Sequence, residues 1–280
     1  MREDGIESKL GLHPAAPQGM RRLRLTVAYC GSGWRGWQSL AGGGTIQDEL
    51  TAAVKKATRI ETVVHGSGRT DAGVHALAQV AHMDVPASAR MSHGAWCKAL
   101  NACLPMTIRV TRVEDAEPGF HARFDAVGKI YRYRIWRPEM LDPFEADRAW
   151  HVYGRLDISA LRRCADLLAG RHNFVRLSAN RGDMWETQRR ALPEKTTRTL
   201  HRVDIAEKGD VLEIEFEGDG FLYRMARLIT GSMVQVARGR ATEEWFASLL
   251  ATHEGLQSNQ MAPACGLYLV SVKYAGDLRH

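Results

Sequence analysis

Between residues 65 and 82 the chain reads HGSGRTDAGVHALAQVAH, where three glycines, Gly66, Gly68 and Gly73, surround a single carboxylate, Asp71. Glycine loops beside charged groups are common material for nucleotide sites, so that chemistry is tested first. The glycines do not fall into G-x-G-x-x-G. Gly68 and Gly73 have the outer spacing of a phosphate loop, but Val74 and His75 stand where a lysine and a hydroxyl residue are required. With no cation placed for a β- or γ-phosphate, both cofactor readings fail. What remains is Arg69-Thr70-Asp71 on a glycine turn. An isolated Asp in such a loop most often shapes the turn, and an ionised one can also serve as nucleophile or base. His75 and His82 lie seven apart, match no metal spacing, and read as core or surface histidines.

The elements that must hold this loop follow from periodicity. Residues 22–29, RLRLTVAY, alternate strictly: Leu23, Leu25, Val27 and Tyr29 face one way, and Arg22, Arg24 and Thr26 the other. A Gly- and Trp-rich turn, CGSGWRGWQ, covers 30–38, and a loop with Gly42, Gly43 and Gly44 follows. Thr45 is placed to cap a helix with Asp48 as its partner, and Ile46, Leu50, Val54 and Ala57 recur at helical spacing. Residues 62–85 read as strand, glycine loop, strand. Ser92 caps a second helix that Pro105 ends, and 107–113 returns to strand alternation.

The pattern then repeats. Strand 129–137 places Tyr131, Tyr133 and Ile135 opposite Arg132 and Arg134; helix 157–169 stops at Gly170; strands follow at 198–206 and 211–217. A long helix is expected over about 221–237, a short one after Thr242, and a closing strand over 267–274. Two α/β halves therefore meet near residues 114–126, built on antiparallel or mixed sheet because several strands lack crossover helices. Residues 1–20, with charges, prolines and glycines, read as a flexible N-terminal tail; 21–117 and 118–280 are the two expected subdomains. Residues 178–196, with Arg181, Arg189, Arg190 and Lys195, read as an exposed basic loop.

Composition bounds the function only loosely. Of 280 residues, 38 are Lys or Arg and 32 Asp or Glu, for a net charge of +6. This fits a polyanionic partner without requiring one. The five cysteines are odd in number and no two are spaced C-x-x-C, which argues against a disulfide framework or a zinc knuckle and for a reducing compartment. No apolar run is long enough for a bilayer span, and no signal peptide is evident.

The segment Gly68-Arg69-Thr70-Asp71-Ala72-Gly73-Val74-His75-Ala76, followed by Gln79-Val80-Ala81-His82, closely resembles the catalytic signature of TruA-type tRNA pseudouridine synthases. The resemblance runs in order over nearly all of residues 22–274. Gly36-Trp37-Gln38 resembles the family's first loop, and Phe120-His121-Ala122-Arg123-Phe124 its RNA-contacting segment. Tyr131-Arg132-Tyr133 matches its tyrosine strand, Gly220 to Arg227 the helix with its second arginine, and Gly266-Leu267-Tyr268-Leu269 its closing strand. The resemblance implies an α+β pseudouridine synthase fold: two ferredoxin- or RRM-like halves sharing a mostly antiparallel mixed sheet with a central RNA-binding cleft. It implies that Asp71 is catalytic, that Tyr131 and Leu267 contact the target base, that Arg69 assists the flipped nucleotide, and that Arg227 pairs with the aspartate. Lys195 and Arg198 join residues 120–124 as expected RNA contacts. It also implies a cytoplasmic homodimer acting on uridines of the tRNA anticodon stem-loop, positions 38–40, with neither cofactor nor metal. Five features depart from the family pattern. Cys30-Gly31-Ser32 stands for the usual Asp-Gly-Thr, Trp34 for Tyr or Phe, and Asn173 for Asp. The loop at 42–44 is short, and 178–192 is expanded.

The implied isomerisation breaks N1–C1′ of uridine, turns the base and rejoins it through C5. Nothing is oxidised or hydrolysed, so nucleotide and metal motifs are not needed. The target must leave the stack, at a few kcal/mol, and Arg69 can fill the vacated space and hold phosphates. A carboxylate then attacks, or abstracts a proton, near C1′, where positive character develops as in glycoside cleavage. Attack at C1′, addition at C6 and elimination to a glycal are all compatible with the residues. An ordinary Asp, with a pKa of about 3.9, is ionised at neutral pH. Tyr131 can stack on the uracil. Two other classes compete. One is an RNA-binding protein using basic strands and exposed aromatics, against which the intact Arg69-Thr70-Asp71 loop argues. The other is a metal-dependent nuclease using pairs such as Glu243-Glu244, whose place at an expected helix start is explained by the macrodipole.

Overall fold

A computed structural model describes residues 14–180, 192–251 and 255–278. The chain divides into two compact units, one running to Val127 and resuming at Leu269, the other spanning Gly128–Tyr268.

The first unit is built on β1 (Met20–Tyr29), whose alternation is the reason it forms: Leu23, Leu25 and Val27 are fully buried. β1 pairs antiparallel with β3 (His75–Pro86) on one side and β4 (Ile108–Ala116) on the other. β2 (His65–Gly66) adds two residues to β3, and β10 (Leu267–Tyr274) lies along β3's other edge. Helices α1 (Ile46–Thr58) and α2 (His93–Cys103) pack on each other and supply Ile46, Leu50, Val54, Trp96 and Leu100 to the core. Both expected caps form. Asp48 N donates to Thr45 Oγ1 (3.2 Å), Thr45 Oγ1 donates back to Asp48 (2.6 Å), and Ala95 N donates to Ser92 Oγ (3.2 Å). The β1–β3 register slips between Val27 and Tyr29, so β3 carries one extra residue where it leaves the glycine loop. Such a bulge bends a strand and re-aims its side chains.

The second unit pairs β5 (Ala126–Trp136) with β9 (Val211–Gly218), β9 with β8 (Thr197–Lys208), and β8 with β7 (Gly170–Asn173), all antiparallel. β6 (Trp150–His151) pairs parallel with β5. α3 (Ile158–Leu168) buries Leu161, Cys164, Ala165 and Leu168. A helical turn, α4 (Pro193–Thr196), precedes α5 (Met225–Ala237) and α6 (Glu243–Ala251), the last capped by Thr242 Oγ1, which accepts from Trp245 N at 3.1 Å. α5 is buried all round except at Gln235, as expected of a helix at the centre of a core.

The mixed α/β class with mostly antiparallel strands is thus as the sequence suggests. Two expectations are corrected. The long helix begins at Met225 rather than near 221, because Arg224 adopts a left-handed backbone (φ 60°) that a helix cannot continue through. Leu192–Thr196 is not simply loop: Pro193 opens a helical turn and Thr196 is buried. Arg181, Arg189 and Arg190 of that basic loop, and residues 1–13 of the expected tail, lie outside the described residues. No described helix is long and apolar enough to cross a membrane.

Candidate active site

The Asp71 loop is gripped by its neighbours through backbone groups. Val74 N donates to Asp71 O (3.1 Å), closing a turn in which Gly73 takes φ +79°. The 30–38 turn wraps one side of it: Trp37 N donates to Thr70 O (3.1 Å), Gly73 N to Trp34 O (3.3 Å), and Gly31 N to His75 Nδ1 (3.1 Å). The approach is too close for side chains. A Cβ on Gly31 would lie 2.0 Å from Val74 O, and one on Gly36 would lie 2.7 Å from Thr70 O and 3.1 Å from the carbonyl carbon of Asp71. Behind the loop, Thr70 Oγ1 shares a 2.8 Å hydrogen bond with the hydroxyl of buried Tyr29. Burial pushes that phenol well above its usual pKa, with hydrogen bonds to Thr70 and Gln79 pulling the other way, so it stays protonated. On the far side Ser67 Oγ donates to Gln79 Oε1 (2.6 Å) and Gln79 Nε2 to Gly68 O (2.9 Å). Trp37 backs the whole arrangement; a Cβ on Gly66 would meet its indole at 2.4 Å.

At the tip Thr70 is buried, Asp71 is partly exposed and Arg69 is exposed. The loop therefore holds a carboxylate and a guanidinium two positions apart on a fixed backbone, reachable from outside. That is the arrangement a carboxylate needs to act on a bound molecule: ordered before the substrate arrives, so that little is lost in orienting it. His75 and His82 are 2% and 3% exposed, so the core reading holds, and His75 contributes an acceptor to the turn's first glycine. The roles of Tyr29, His75 and Gln79 as supports were not read from the sequence. Only their adjacency to the glycine loop or the first turn marked them.

Residues 120–124 belong to the same unit, between β4 and β5. Arg123 and Phe124 are exposed, Phe120 and His121 half-buried, and Ala122 fully buried. The Arg123 guanidinium lies 5.4 Å from the Phe124 ring centroid.

The remaining site candidates lie in the second unit. Tyr131 is 9% exposed and meets Phe221 edge-on at 4.8 Å. Tyr133 is a core residue. Its hydroxyl donates to Pro263 O (2.7 Å), burial raises its pKa well above the usual phenol, and its ring fills the space where Gly266 lacks a Cβ (2.6 Å). It thereby fixes the backbone that leads into Leu267, which is 6% exposed. Arg227 is 9% exposed, and its Nε donates to Ala262 O at 2.8 Å. The same stretch is tied to α5 by Ala262 N donating to Arg227 O (3.1 Å), and by Gly231, where a Cβ would strike Gln260 O. Lys195 is exposed; Arg198 lies against Gly220, donates to Thr197 O (2.5 Å), and has its pKa lowered by burial.

The basic face of β5 is not an open cationic surface. Arg132 pairs with Glu215 (2.9 Å) and Glu213 (3.4 Å), and Arg134 with Glu145 (2.8 Å). Glu243 pairs with Arg163 at 2.7 Å. Among the described residues no group of three or more His, Cys, Asp or Glu is gathered to hold a metal ion.

A family model described as tRNA pseudouridine synthase matches residues 26–125 and 164–275, the Asp71 loop included. The chain belongs to the tRNA pseudouridine synthase family. Its similarity to curated members is extensive. It is 44% identical over 257 residues to tRNA pseudouridine synthase A of Akkermansia muciniphila, covering 91% of this chain and 96% of that protein. Against the protein of the same name from Solidesulfovibrio magneticus it is 43% identical over 264 residues, covering 91% and 92% of the two chains. Against that of Bacillus subtilis it is 37% identical over 257 residues, covering 90% and 99%. For this family member, the turn at 30–38 and the loop at 67–74 both fall within the matched region.

Proposed function

We propose that the chain isomerises uridine to pseudouridine in the anticodon stem-loop of tRNA, at positions 38–40, with Asp71 as the catalytic carboxylate. The observation that carries the assignment of Asp71 is the construction of its loop. Two glycines without room for a Cβ, a buried Tyr–Thr side-chain hydrogen bond and the Gln79 bridge all converge on residues 68–74. A carboxylate that only shaped a turn would not require such support from three sides.

In this reading Arg69 fills the place of the flipped nucleotide and Asp71 acts at the sugar. The N1–C1′ bond breaks, the base turns, C5 bonds to C1′, the C5 proton leaves and N1 gains one. The resemblance assigns Tyr131 and Leu267 to the base and Arg227 to the reacting carboxylate. Residues 120–124, Lys195 and Arg198 hold the RNA. The synthase works in the cytoplasm as a homodimer, without metal or cofactor. The test is tritium release from tRNA labelled at uridine C5, with the modified positions mapped. Wild type releases tritium from positions 38–40, and Asp71→Asn releases none while still binding tRNA. Turnover by Asp71→Asn would remove the aspartate from the mechanism.

A further inference from the structure

The segment 120–125 is anchored by side chains that no role above uses. It covers the face of the first unit's sheet that carries Arg22, Arg24, His82, Asp84 and Tyr274, opposite to the face of Leu23 and Leu25. In the β1–β3 register Arg22 stands against Asp84 and Arg24 against His82. Arg22, 5% exposed, makes a two-pronged pair with Asp84 (2.8 and 2.8 Å) and donates its remaining arm to Phe120 O at 2.8 Å. Ala122 N donates to Nδ1 of buried His82 (3.2 Å), and the Tyr274 hydroxyl donates to Ala122 O (2.6 Å). Three strands, β1, β3 and β10, thus each contribute one side chain to two consecutive turns of backbone.

Rings complete the seat. His82 lies between His65 (centroids 5.1 Å, stacked) and His121 (4.6 Å, edge-on), and His121 lies against Phe124 (4.4 Å). Arg24, held by Asp277 (2.7 Å), covers Tyr274 at 4.5 Å and Phe120 at 5.6 Å. His121 Nδ1 accepts from Arg123 N (3.1 Å), and His121 N donates to Asp125 (2.7 Å). The outcome is a loop whose backbone polar groups are satisfied from below while Arg123 and Phe124 project outward. Loops of this length with exposed tips are usually mobile; this one is not free to rearrange without leaving a buried Ala122 N–H or carbonyl unsatisfied, which is costly.

We propose that His82, with Arg22 and Tyr274, is a positioning residue that presents Arg123 and Phe124 to the RNA backbone. The inference rests on the tRNA-modifying reading for the identity of the ligand. His82 accepts from Ala122 N at Nδ1, and this acceptor can be tested apart from the ring's bulk. His82→Phe keeps the ring and its stacking but puts a C–H at the acceptor position. His82→Asn loses the ring but restores an acceptor, since Asn Oδ1 occupies nearly the place of His Nδ1.

The experiment is steady-state tritium release from C5-labelled tRNA at several KCl concentrations, for wild type, His82→Phe, His82→Asn, Arg123→Ala, Tyr274→Phe and the His82→Phe/Arg123→Ala double variant. The effect of His82→Phe is expected on KM, raised about tenfold, rather than on kcat. The slope of log KM against log salt should fall by about 0.7–0.9, the value for one lost phosphate contact, and match that of Arg123→Ala. The double variant should be no worse than either single one, because both remove the same contact. His82→Asn should recover most of the loss. A His82→Phe enzyme with wild-type KM and salt slope, or a double variant in which the two losses add, overturns the inference. Should His82→Phe fail to fold, Tyr274→Phe decides, since it keeps the ring and removes the bond to Ala122 O along with a hydrogen bond to Ser67; unchanged KM and slope there overturn it equally. If wild type releases no tritium, the enzymatic reading has failed instead, and filter binding of tRNA to the same variants still measures the positioning effect.

Discussion

Replacing Gly36 by alanine forces a methyl group into the backbone that carries Asp71. At Gly36 φ is +92°, and the added Cβ would sit 2.7 Å from Thr70 O, 3.1 Å from Ala72 N and 3.1 Å from the carbonyl carbon of Asp71. All three neighbours are main-chain atoms, so no side chain can rotate away. Ordinary contact begins at 3.4 Å, and the two loops must separate by roughly 0.7 Å. Functional groups work within a tolerance of about 0.5 Å, and a misplacement on the order of 1 Å costs about 100-fold in rate. The expected kcat of Gly36→Ala is therefore lower by about 30- to 100-fold. Gly33 supplies the internal control. It lies in the same turn at φ +82° but has nothing within 4 Å of its would-be Cβ. Gly33→Ala bears only the backbone penalty of a left-handed alanine, about 1–2 kcal/mol, and should lose stability in urea while keeping kcat within about twofold. Single-turnover tritium release, paired with urea unfolding of both variants, makes the comparison. A Gly36→Ala enzyme with wild-type kcat, or two variants that lose activity equally, would refute the idea that the turn fixes the carboxylate.

Tyr29→Phe removes a buried hydroxyl 2.8 Å from Thr70 Oγ1; unfolding free energy should fall by about 1–2 kcal/mol, together with kcat, as measured by urea titration and tritium release. Arg69→Ala should slow the chemical step by about 10- to 100-fold with tRNA affinity little changed; an unaltered single-turnover rate would take Arg69 out of the site. Asp277 is held below the usual carboxylate range by the hydrogen bonds of Arg24. Its folded pKa being the lower one, its contribution to stability is complete above the unfolded pKa of about 3.9 and disappears as pH falls through the folded value. Wild type should therefore exceed Asp277→Asn in urea midpoint at pH 6, with the gap closing toward pH 3; a constant gap would assign the difference to packing.

Much of the frame was legible from residue types because the signals are local. Strict alternation gave β1 and β9, and a hydroxyl ahead of a helical run gave the caps at Thr45, Ser92 and Thr242. Strands of two to four residues such as β6 and β7 are too short to carry a period. The start of α5 was misread because Phe221 and Leu222 prolong the apolar pattern, while the break is a backbone event at Arg224 that side-chain spacing does not encode. At the site, the glycines around Asp71 were conspicuous, but what they make room for was not. Gly31 and Gly36 answer to backbone some forty residues away, and Gly266 to an aromatic ring on β5. His82 read as a core or surface histidine and proves to be core, yet its use depends on which amide it faces, a property of tertiary register rather than of sequence neighbours. The alternation of β5 set Arg132 and Arg134 on one face, but the β9 glutamates that pair with Arg132 come from a strand some eighty residues away.

One strand of the first unit arrives late. Residues 269–274 of β10 lie along β3, and Tyr274 and Asp277 complete the seat of a loop whose other anchors are Arg22 and His82. During synthesis the ribosome must deliver the whole of Gly128–Tyr268 before that edge of β3 can be covered. At ordinary elongation rates the wait is on the order of ten seconds. A nascent chain stalled within the second unit would leave β3 with an exposed edge ready to join another molecule, so premature termination should yield aggregation-prone fragments rather than a half-working enzyme.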